Sequence, residues 1–214
     1  MKIQLYYCPF TCAMAPYIIL TEAGAEFEVR TVNLQKQEHR SPEFIKINPK
    51  HKVPVLIVDG EMLTENVAMH LWISRAFPHA GIMPNEPWEQ AQAVSILAWC
   101  ASGIHPFLSL INLPVKVCDV DGTTDSVVRL ALETLHECFT IANDLLARHE
   151  YFFDSFTAPD AHFFWCTRRA TQLNVDPSPY PNVTAHFERM KARPSVQKLL
   201  AFEKETIEAF KKMA

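Results

Sequence analysis

The fold of this chain is decided by residues 2–24, KIQLYYCPFTCAMAPYIILTEAG. Its first six residues alternate between apolar and polar positions, and this period of two predicts a β-strand. Pro9 ends the strand, and a second apolar run predicts a helix that stops at Gly24, because glycine is common just after a helix. Strand and helix are joined by a loop that contains two cysteines, Cys8 and Cys12.

Pro16 locates the start of this helix, because proline is tolerated in the first turn and not further in. The helix is therefore predicted to begin near Ala13, with Cys12 at or next to the N-cap. A thiolate there would face free backbone N–H groups and the positive end of the helix dipole, and both lower a cysteine pKa. We expect Cys12 to be more acidic than a free thiol and to react first. The alternative is that Cys8 and Cys12 are small buried apolar side chains.

Length and composition limit the class of protein. The 214 residues make one large domain or two small ones, and 49% hydrophobic residues suffice for a core. The net charge of −4 and the absence of a basic cluster argue against a nucleic-acid partner. We find no signal peptide and no apolar run near the roughly 18 residues of a membrane span, so we expect a cytoplasmic protein without a membrane partner. Six scattered cysteines indicate reduced thiols.

The remainder of residues 1–77 predicts more α/β structure. Residues 27–32 predict a second strand, and Ser41-Pro42-Glu43 has the pattern of a helix start. Asp59-Gly60 separates two apolar runs, which is a strong signal for a β-hairpin. Thr64 is then the predicted cap of a further helix. The predicted order of elements in this first domain is β-α-β-α-β-β-α.

The remaining sequence predicts a linker and an all-helical domain. Residues 78–88 contain three prolines and no apolar period, and we interpret them as the linker. The second domain, 89–214, is predicted to hold long helices over 90–113, with a bend at Gly103 or Pro106, and over 125–149, then three shorter ones. The first of these three opens at Thr157 with Asp160 three residues later, which predicts a capping box with Asp in place of Glu or Gln.

Four patterns in this order resemble the cytosolic glutathione transferases, which combine a thioredoxin-like first domain with an all-helical second domain. Residues 6–24 resemble the first strand, loop and helix of the bacterial beta class, whose members have a cysteine where Cys12 stands. Residues 47–56, INPKHKVPVL, resemble the segment that leads to the family's cis-proline, here Pro54. Residues 64–68, TENVA, take the place of the family's Glu-Ser or Glu-Gly pair, and residues 156–161, FTAPDA, resemble its second-domain capping box.

The resemblance implies a glutathione site on the first domain. The backbone of Val53, next to Pro54, would pair with the cysteinyl unit of glutathione. Glu65 would meet the γ-glutamyl ammonium group, and the amide of Asn66, which replaces the commoner Ser, would meet the neighbouring carboxylate. The glycyl carboxylate would meet one of two lysines, Lys36 or Lys52.

The resemblance also implies residues for catalysis and for a second substrate. His105 falls where beta-class members carry a histidine near the glutathione thiol, so Cys12 and His105 are the expected catalytic residues; the alternative for His105 is a structural role. An electrophilic co-substrate would meet apolar surface from a set of five residues: Phe10, Trp99, Phe107, Leu108 and Trp165.

The expected activity is that of a glutathione transferase with a role in detoxification. The thiolate of glutathione, with Cys12, would conjugate electrophiles or exchange with disulfides. Cys8-Pro9-Phe10 also resembles the Cys-Pro-Phe of omega-type members and the Cys-Pro-Tyr of glutaredoxins, so Cys8 is the second choice for the reactive thiol. The alternative function is a non-catalytic glutathione-binding or regulatory protein. The family resemblance further implies a homodimer and no metal cofactor.

Overall fold

A computed structural model describes residues 1–212; residues 213–214, the end of the predicted second domain, lie outside the described part. The chain forms two compact units. The first comprises Met1–Met83 together with residues 192–212, and the second comprises Pro84–Lys191.

The first unit is a four-stranded mixed sheet with helices. The sheet order is β2-β1-β3-β4, with β1 and β2 parallel and the other neighbours antiparallel. This confirms the thioredoxin-like β-α-β-α-β-β-α order predicted from the sequence. The elements are β1 Ile3–Tyr7, α1 Met14–Glu22, β2 Phe27–Thr31, α2 Pro42–Ile47, β3 Val55–Val58, β4 Glu61–Leu63 and α3 Asn66–Ala76.

Strand β1 and helix α1 form the centre of this unit, as the opening stretch of sequence predicts. Ile3, Leu5 and Tyr7 are buried and their neighbours are half-buried, which is the predicted period of two. Helix α1 is buried from Met14 to Leu20, so the cysteine loop that precedes it is attached to a rigid core element.

The start of α3 differs from the prediction by one residue. Thr64 was the expected cap, but the N-cap is Glu65, whose φ is 71°. The Thr64 hydroxyl instead lies 3.0 Å from the ammonium group of Lys50. This lysine contact takes the place of a capping hydrogen bond.

The C-terminal helix, α9 Pro194–Lys212, belongs to the first unit, whereas the sequence placed it in the second domain. It packs on α1. The Glu22 carboxylate accepts hydrogen bonds from the Arg193 guanidinium at 3.0 and 2.8 Å and from the Ser195 hydroxyl. These partners lie more than 170 residues apart in the chain, so no local sequence pattern reveals the contact.

The second unit is all-helical, as predicted. Its helices are α4 Pro87–Trp99, α5 His105–Asn112, α6 Thr124–Leu145, α7 Ala158–Gln172 and α8 Pro181–Ala192, the last ending one residue past the unit boundary. A π-helical segment, Cys100–Ile104, joins α4 to α5 and contains Gly103, one of the two predicted bend positions. The Trp99 indole lies directly over Gly103 and leaves no room for a Cβ atom there.

The predicted capping box at the start of α7 is confirmed. Asp160, which is completely buried, accepts a hydrogen bond from the Thr157 backbone N–H at 2.8 Å. Its second carboxylate oxygen accepts one from the Phe152 backbone N–H at 3.0 Å and lies 3.0 Å from Nε2 of His186. Asp160 therefore joins two helices and the preceding loop, a structural role.

One helical stretch of the described residues, Pro87–Asn112, is long and apolar enough to cross a membrane, with a mean hydropathy of 1.6 in its most apolar 18-residue window. The expectation from the sequence was that no apolar run approaches this length; the stretch meets the criterion by its mean hydropathy. Of that window, 22% is buried within the structure. Core helices of water-soluble proteins meet the same criterion, so the finding by itself assigns no membrane location.

Candidate active site

The start of α1 and the start of α3 meet at Cys12. Cys12 directly precedes the N-cap of α1, Ala13, as the sequence predicted. The side-chain amide of Asn66, the first residue of α3, donates a hydrogen bond to the Cys12 carbonyl oxygen at 3.1 Å. Both residues are buried, each with 8% of its surface exposed. The contact fixes the cysteine loop against the neighbouring helix start.

The acidity of Cys12 is the opposite of what the sequence predicted. Burial raises the pKa of Cys12 to about 12, although a hydrogen bond from Asn66 and the charge of Lys52 act to lower it. Glu65 contributes to the rise. Loss of water around the thiolate therefore outweighs the helix end, so the expectation of a low Cys12 pKa was wrong.

Cys8, the second choice for the reactive thiol, is also a weak acid. Burial raises its pKa to about 11, a backbone hydrogen bond from Leu34 opposes the rise, and the charges of Glu203 and Glu38 add to it. At neutral pH both thiols of the loop therefore carry their protons in the protein without ligand.

The segment before β3 places several of the predicted binding residues together. The Val53–Pro54 peptide bond is cis, as the family resemblance implied. The Lys52 carbonyl accepts a hydrogen bond from the buried Asn48 side chain at 2.7 Å, which holds the backbone just before this bond. The charges of Lys52 and Glu65 both act on the Cys12 thiol.

Two further lysines make contacts in this region. Lys50, which was not among the predicted residues, forms an ion pair with the Glu65 carboxylate at 2.6 Å, and both side chains are more than half exposed. Lys36 lies in the turn after β2, where its backbone N–H donates to the Asn33 side chain at 3.1 Å. That turn contains Leu34, which contacts Cys8. Lys36 is therefore near the other cysteine of the loop.

The predicted residues of the second unit form a cluster of rings. The His105 and Trp165 rings meet edge to face with centroids 4.4 Å apart. Trp165 and Leu108 are buried, with 3% and 1% of their surfaces exposed, whereas Trp99 and Phe107 are half-buried. Phe10, the predicted co-substrate residue of the first unit, is 40% exposed.

A third cysteine has properties that the sequence analysis did not anticipate. Cys118 lies in the loop between α5 and α6, where the Thr123 hydroxyl donates to its sulfur at 3.2 Å. This hydrogen bond, followed by one from the Val120 backbone, lowers the pKa of Cys118. A threonine five residues after a cysteine is the sole sequence signal for this contact, and it is a weak one.

Comparisons with known proteins agree with this architecture. The model of the family described as "Glutathione S-transferase, N-terminal domain" matches residues 1–75. A probable glutathione S-transferase of Oryza sativa subsp. japonica is 30% identical over 200 residues, which cover 86% of this chain and 88% of that protein. The chain belongs to the glutathione S-transferase family.

Two solved structures of the family extend the comparison. The bacterial beta-class enzyme of Sphingomonas chungbukensis has a TM-score of 0.83 at 29% identity, with 94% of this chain and 98% of that one covered. A sphingomonad glutathione S-transferase, solved in complex with glutathione, has the same TM-score and coverage at 28% identity. The family fold thus extends over nearly the whole chain, beyond the matched N-terminal model.

The sequence did not reveal one buried carboxylate that contacts the cysteine loop from α9. Glu203, in α9, accepts hydrogen bonds from the Tyr7 hydroxyl at 2.9 Å and from the Phe10 backbone N–H at 2.8 Å. An acidic residue on a charged helix usually faces water, and helix spacing alone gives no reason to place Glu203 inside.

Proposed function

We propose that this protein is a glutathione-dependent transferase whose nucleophile is the sulfur of bound glutathione, with Cys12 as a protonated partner. In conjugation, the glutathione thiolate attacks an electrophilic carbon, a C–S bond forms and the leaving group departs with its electron pair. In thiol–disulfide exchange, the same thiolate attacks one sulfur of a disulfide and releases the other as a thiolate.

The observation that carries this proposal is the convergence of Cys12, Asn66 and Glu65 at two adjoining helix starts, with the charge of Lys52 acting on the same thiol. One carboxylate and one ammonium group flank a thiol there. Glutathione offers the complementary groups, because it carries an ammonium at one end, a carboxylate at each end and a thiol between them. Helix starts add N–H groups and a positive potential that favour a bound anion.

The raised pKa of Cys12 suits the role of a donor. A thiol with a pKa of about 12 keeps its proton beside a glutathione sulfur, whose pKa is near the roughly 8.5 of a free thiol. Cys12 then donates its S–H to the glutathione thiolate and lowers the free energy of that anion. We further propose that His105 has a stabilising role in catalysis.

The glutathione backbone is assigned to the predicted binding residues. Glu65 takes the γ-glutamyl ammonium group and shares its carboxylate with Lys50, which already contacts it. The Val53 backbone beside Pro54 pairs with the cysteinyl unit, and Lys52 or Lys36 takes the glycyl carboxylate. The Asn66 amide donates to the Cys12 carbonyl and also acts on the Cys12 thiol, so we propose that Asn66 contributes by holding the loop.

For the co-substrate we propose apolar surface on each unit: in the first unit Phe10, which is 40% exposed, and in the second unit Trp99 and Phe107, which are half-buried, next to the buried Trp165 and Leu108 of the prediction. Exposed aromatic surface favours an apolar electrophile or a disulfide with an apolar substituent.

Titration calorimetry with glutathione tests the binding site. Glu65→Gln removes the charge that pairs with the ammonium group, and a charge-assisted hydrogen bond of about 1.5–3 kcal/mol corresponds to at least about a tenfold weaker Kd. The matched control is Glu61→Gln, an exposed glutamate on β4, which should bind like the wild type. Equal affinity of Glu65→Gln and wild type would contradict the assigned site.

A second candidate function rests on the same pKa values. Because neither loop thiol is ionised at neutral pH, the protein would also suit a non-catalytic glutathione-binding or regulatory role. Retention on immobilised glutathione without conjugation or disulfide reduction would favour this alternative. Turnover that is lost in Glu65→Gln would favour the enzyme.

We also propose a cytoplasmic homodimer with a role in detoxification and without a membrane partner. The apolar segments Met69–Trp72 and Ala93–Leu97 carry more apolar groups than one buried face needs, and Trp88 is 75% exposed. A second copy of the chain would cover this surface. Sedimentation that gives a single monomeric species at micromolar concentration would contradict the dimer.

A further inference from the structure

A carboxylate from the C-terminal helix reaches the loop that carries Cys8 and Cys12. Glu203 is 1% exposed, and one oxygen, Oε1, accepts both the Tyr7 hydroxyl and the Phe10 backbone N–H at 2.9 and 2.8 Å. These donors lie 196 and 193 residues before it in the chain. Tyr7 is itself fully buried against Phe202, the neighbour of Glu203, with ring centroids 5.7 Å apart. One oxygen of the carboxylate is therefore held by two donors, one in β1 and one in the cysteine loop.

The Phe10 backbone has a conformation that needs support. Its φ is 65°, in the left-handed region that residues other than glycine rarely adopt. The Phe10 side chain is 40% exposed, so burial of the ring does not account for this backbone. A charge-assisted hydrogen bond from the Phe10 N–H to Glu203 offsets the cost. The path of the chain from Cys8 to Cys12 thus depends on Glu203.

The charge of Glu203 also acts on Cys8. Burial is the largest cause of the raised Cys8 pKa, and Glu203 and Glu38 are the two carboxylates that add to it, while the Leu34 backbone opposes them. A thiolate at Cys8 would be a second negative charge beside a buried carboxylate, and like charges at short range disfavour ionisation. Cys12 experiences a different carboxylate, the exposed Glu65.

We infer that Glu203 is a positioning and selectivity residue: its oxygen helps to hold the loop between Cys8 and Cys12 through the Phe10 N–H, and its charge adds to the effect of burial in disfavouring the Cys8 thiolate. Both effects favour chemistry at Cys12 and the glutathione sulfur over chemistry at Cys8. This last consequence rests on the proposed function, whereas the effect on Cys8 does not involve glutathione.

The effect of the charge on Cys8 is tested by Glu203→Gln, which keeps an acceptor oxygen for Tyr7 and Phe10 and removes the negative charge. Alkylation of Cys8 by iodoacetamide in the full chain without glutathione, with the site resolved by fragment mass spectrometry, should accelerate about threefold to tenfold, since one pKa unit is tenfold in thiolate. The matched control is Glu205→Gln, two residues along the same helix and exposed, which should leave the Cys8 rate unchanged. An unchanged or slower Cys8 rate in Glu203→Gln would overturn the inference.

The positioning role is tested by Glu203→Ala, which removes the acceptor as well. This variant should show a raised KM for glutathione, whereas Glu203→Gln should keep the wild-type KM; equal KM values for Gln and Ala would overturn the positioning role. If Glu203→Ala does not fold, Glu203→Asp, which keeps the charge but withdraws the oxygen from the Phe10 N–H by one methylene, should also raise the KM for glutathione, and a wild-type KM would overturn the positioning role. Failure of the proposed function would appear separately, as a wild-type protein without turnover.

Discussion

The cysteine loop before α1 and the loop that contains Cys118 place thiols in opposite environments. Cys12 lies next to a helix start yet has a raised pKa, because it is buried. Cys118 also lies beside a helix start, because Thr123 is the N-cap of α6, but Cys118 is only partly buried, and the threonine hydroxyl and a backbone hydrogen bond lower its pKa. The difference shows that access to water and hydrogen bonds, more than position at a helix end, decides the acidity of these thiols.

The largest expected difference between the two loops is the rate of alkylation. Cys118 should react with iodoacetamide near neutral pH at least roughly a thousandfold faster than Cys12, because a pKa of about 12 leaves roughly a thousandth of the thiolate of a free thiol. Site-resolved mass spectrometry after timed labelling measures both rates. In concentrated urea the two cysteines should react alike, which serves as the control. If Cys12 is labelled before Cys118 in the folded protein, the expected order of the two alkylation rates is wrong.

The next expected effect is a loss of stability in alkali. Because the folded pKa values of Cys8 and Cys12 exceed the ordinary value of 9.0, the unfolded thiols lose protons first and the native state binds more of them. The two thiols make their full contribution to the free energy of unfolding below pH 9. This contribution falls as the pH rises toward 11 for Cys8 and 12 for Cys12, by up to about 1.4 kcal/mol per pH unit for each thiol.

Urea unfolding at stepped pH checks this prediction, with Cys12→Ala as the comparison. The variant should show a shallower decline than the wild type, whatever its stability at neutral pH. A decline of the same slope in both proteins would show that Cys12 ionises equally in the folded and unfolded chain.

A smaller effect should follow from the loss of the Asn66 side chain. Asn66→Ala removes the hydrogen bond to the Cys12 carbonyl, and the free energy of unfolding should fall by about 1–2 kcal/mol. The rate of Cys12 alkylation should stay low, since burial dominates its pKa. Gln35→Ala, at an exposed position, is the control for urea unfolding. A large acceleration of Cys12 in Asn66→Ala would show that this amide, not burial, restrains the thiol.

The smallest expected effect concerns the donor to Cys118. Thr123→Val keeps the side-chain shape and removes the hydroxyl, so Cys118 should become less acidic and react a few-fold more slowly with iodoacetamide. Thr124→Val, one residue further and exposed, should leave that rate unchanged. Equal rates in the Thr123→Val variant and wild type would show that the hydrogen bond from Thr123 does not lower the pKa of Cys118.

The sequence was sufficient to predict the secondary-structure elements that depend on local patterns. Alternation in β1, Pro16 in α1, Asp59-Gly60 between β3 and β4 and the Thr157–Asp160 box each predicted the element observed. The family resemblance further implied the cis bond before Pro54.

What the sequence did not predict depends on contacts between distant residues. Desolvation of Cys12 requires the packing around it, and the burial of Glu203 requires α9 to fold back onto β1 and α1. Neither leaves a periodic signal in the chain. The acidity of Cys12 was therefore mispredicted from a correct helix boundary.

We propose that Cys12 keeps its proton at neutral pH and serves the glutathione sulfur as a donor. The carbon-13 chemical shift of the Cys12 Cβ, followed against pH in protein labelled at cysteine and assigned with Cys12→Ser, measures the ionisation of this thiol. We expect a titration midpoint above about 10 without ligand, and no ionised Cys12 near neutral pH when glutathione is bound. A midpoint below about 8 would show instead that Cys12 itself is the reactive thiolate.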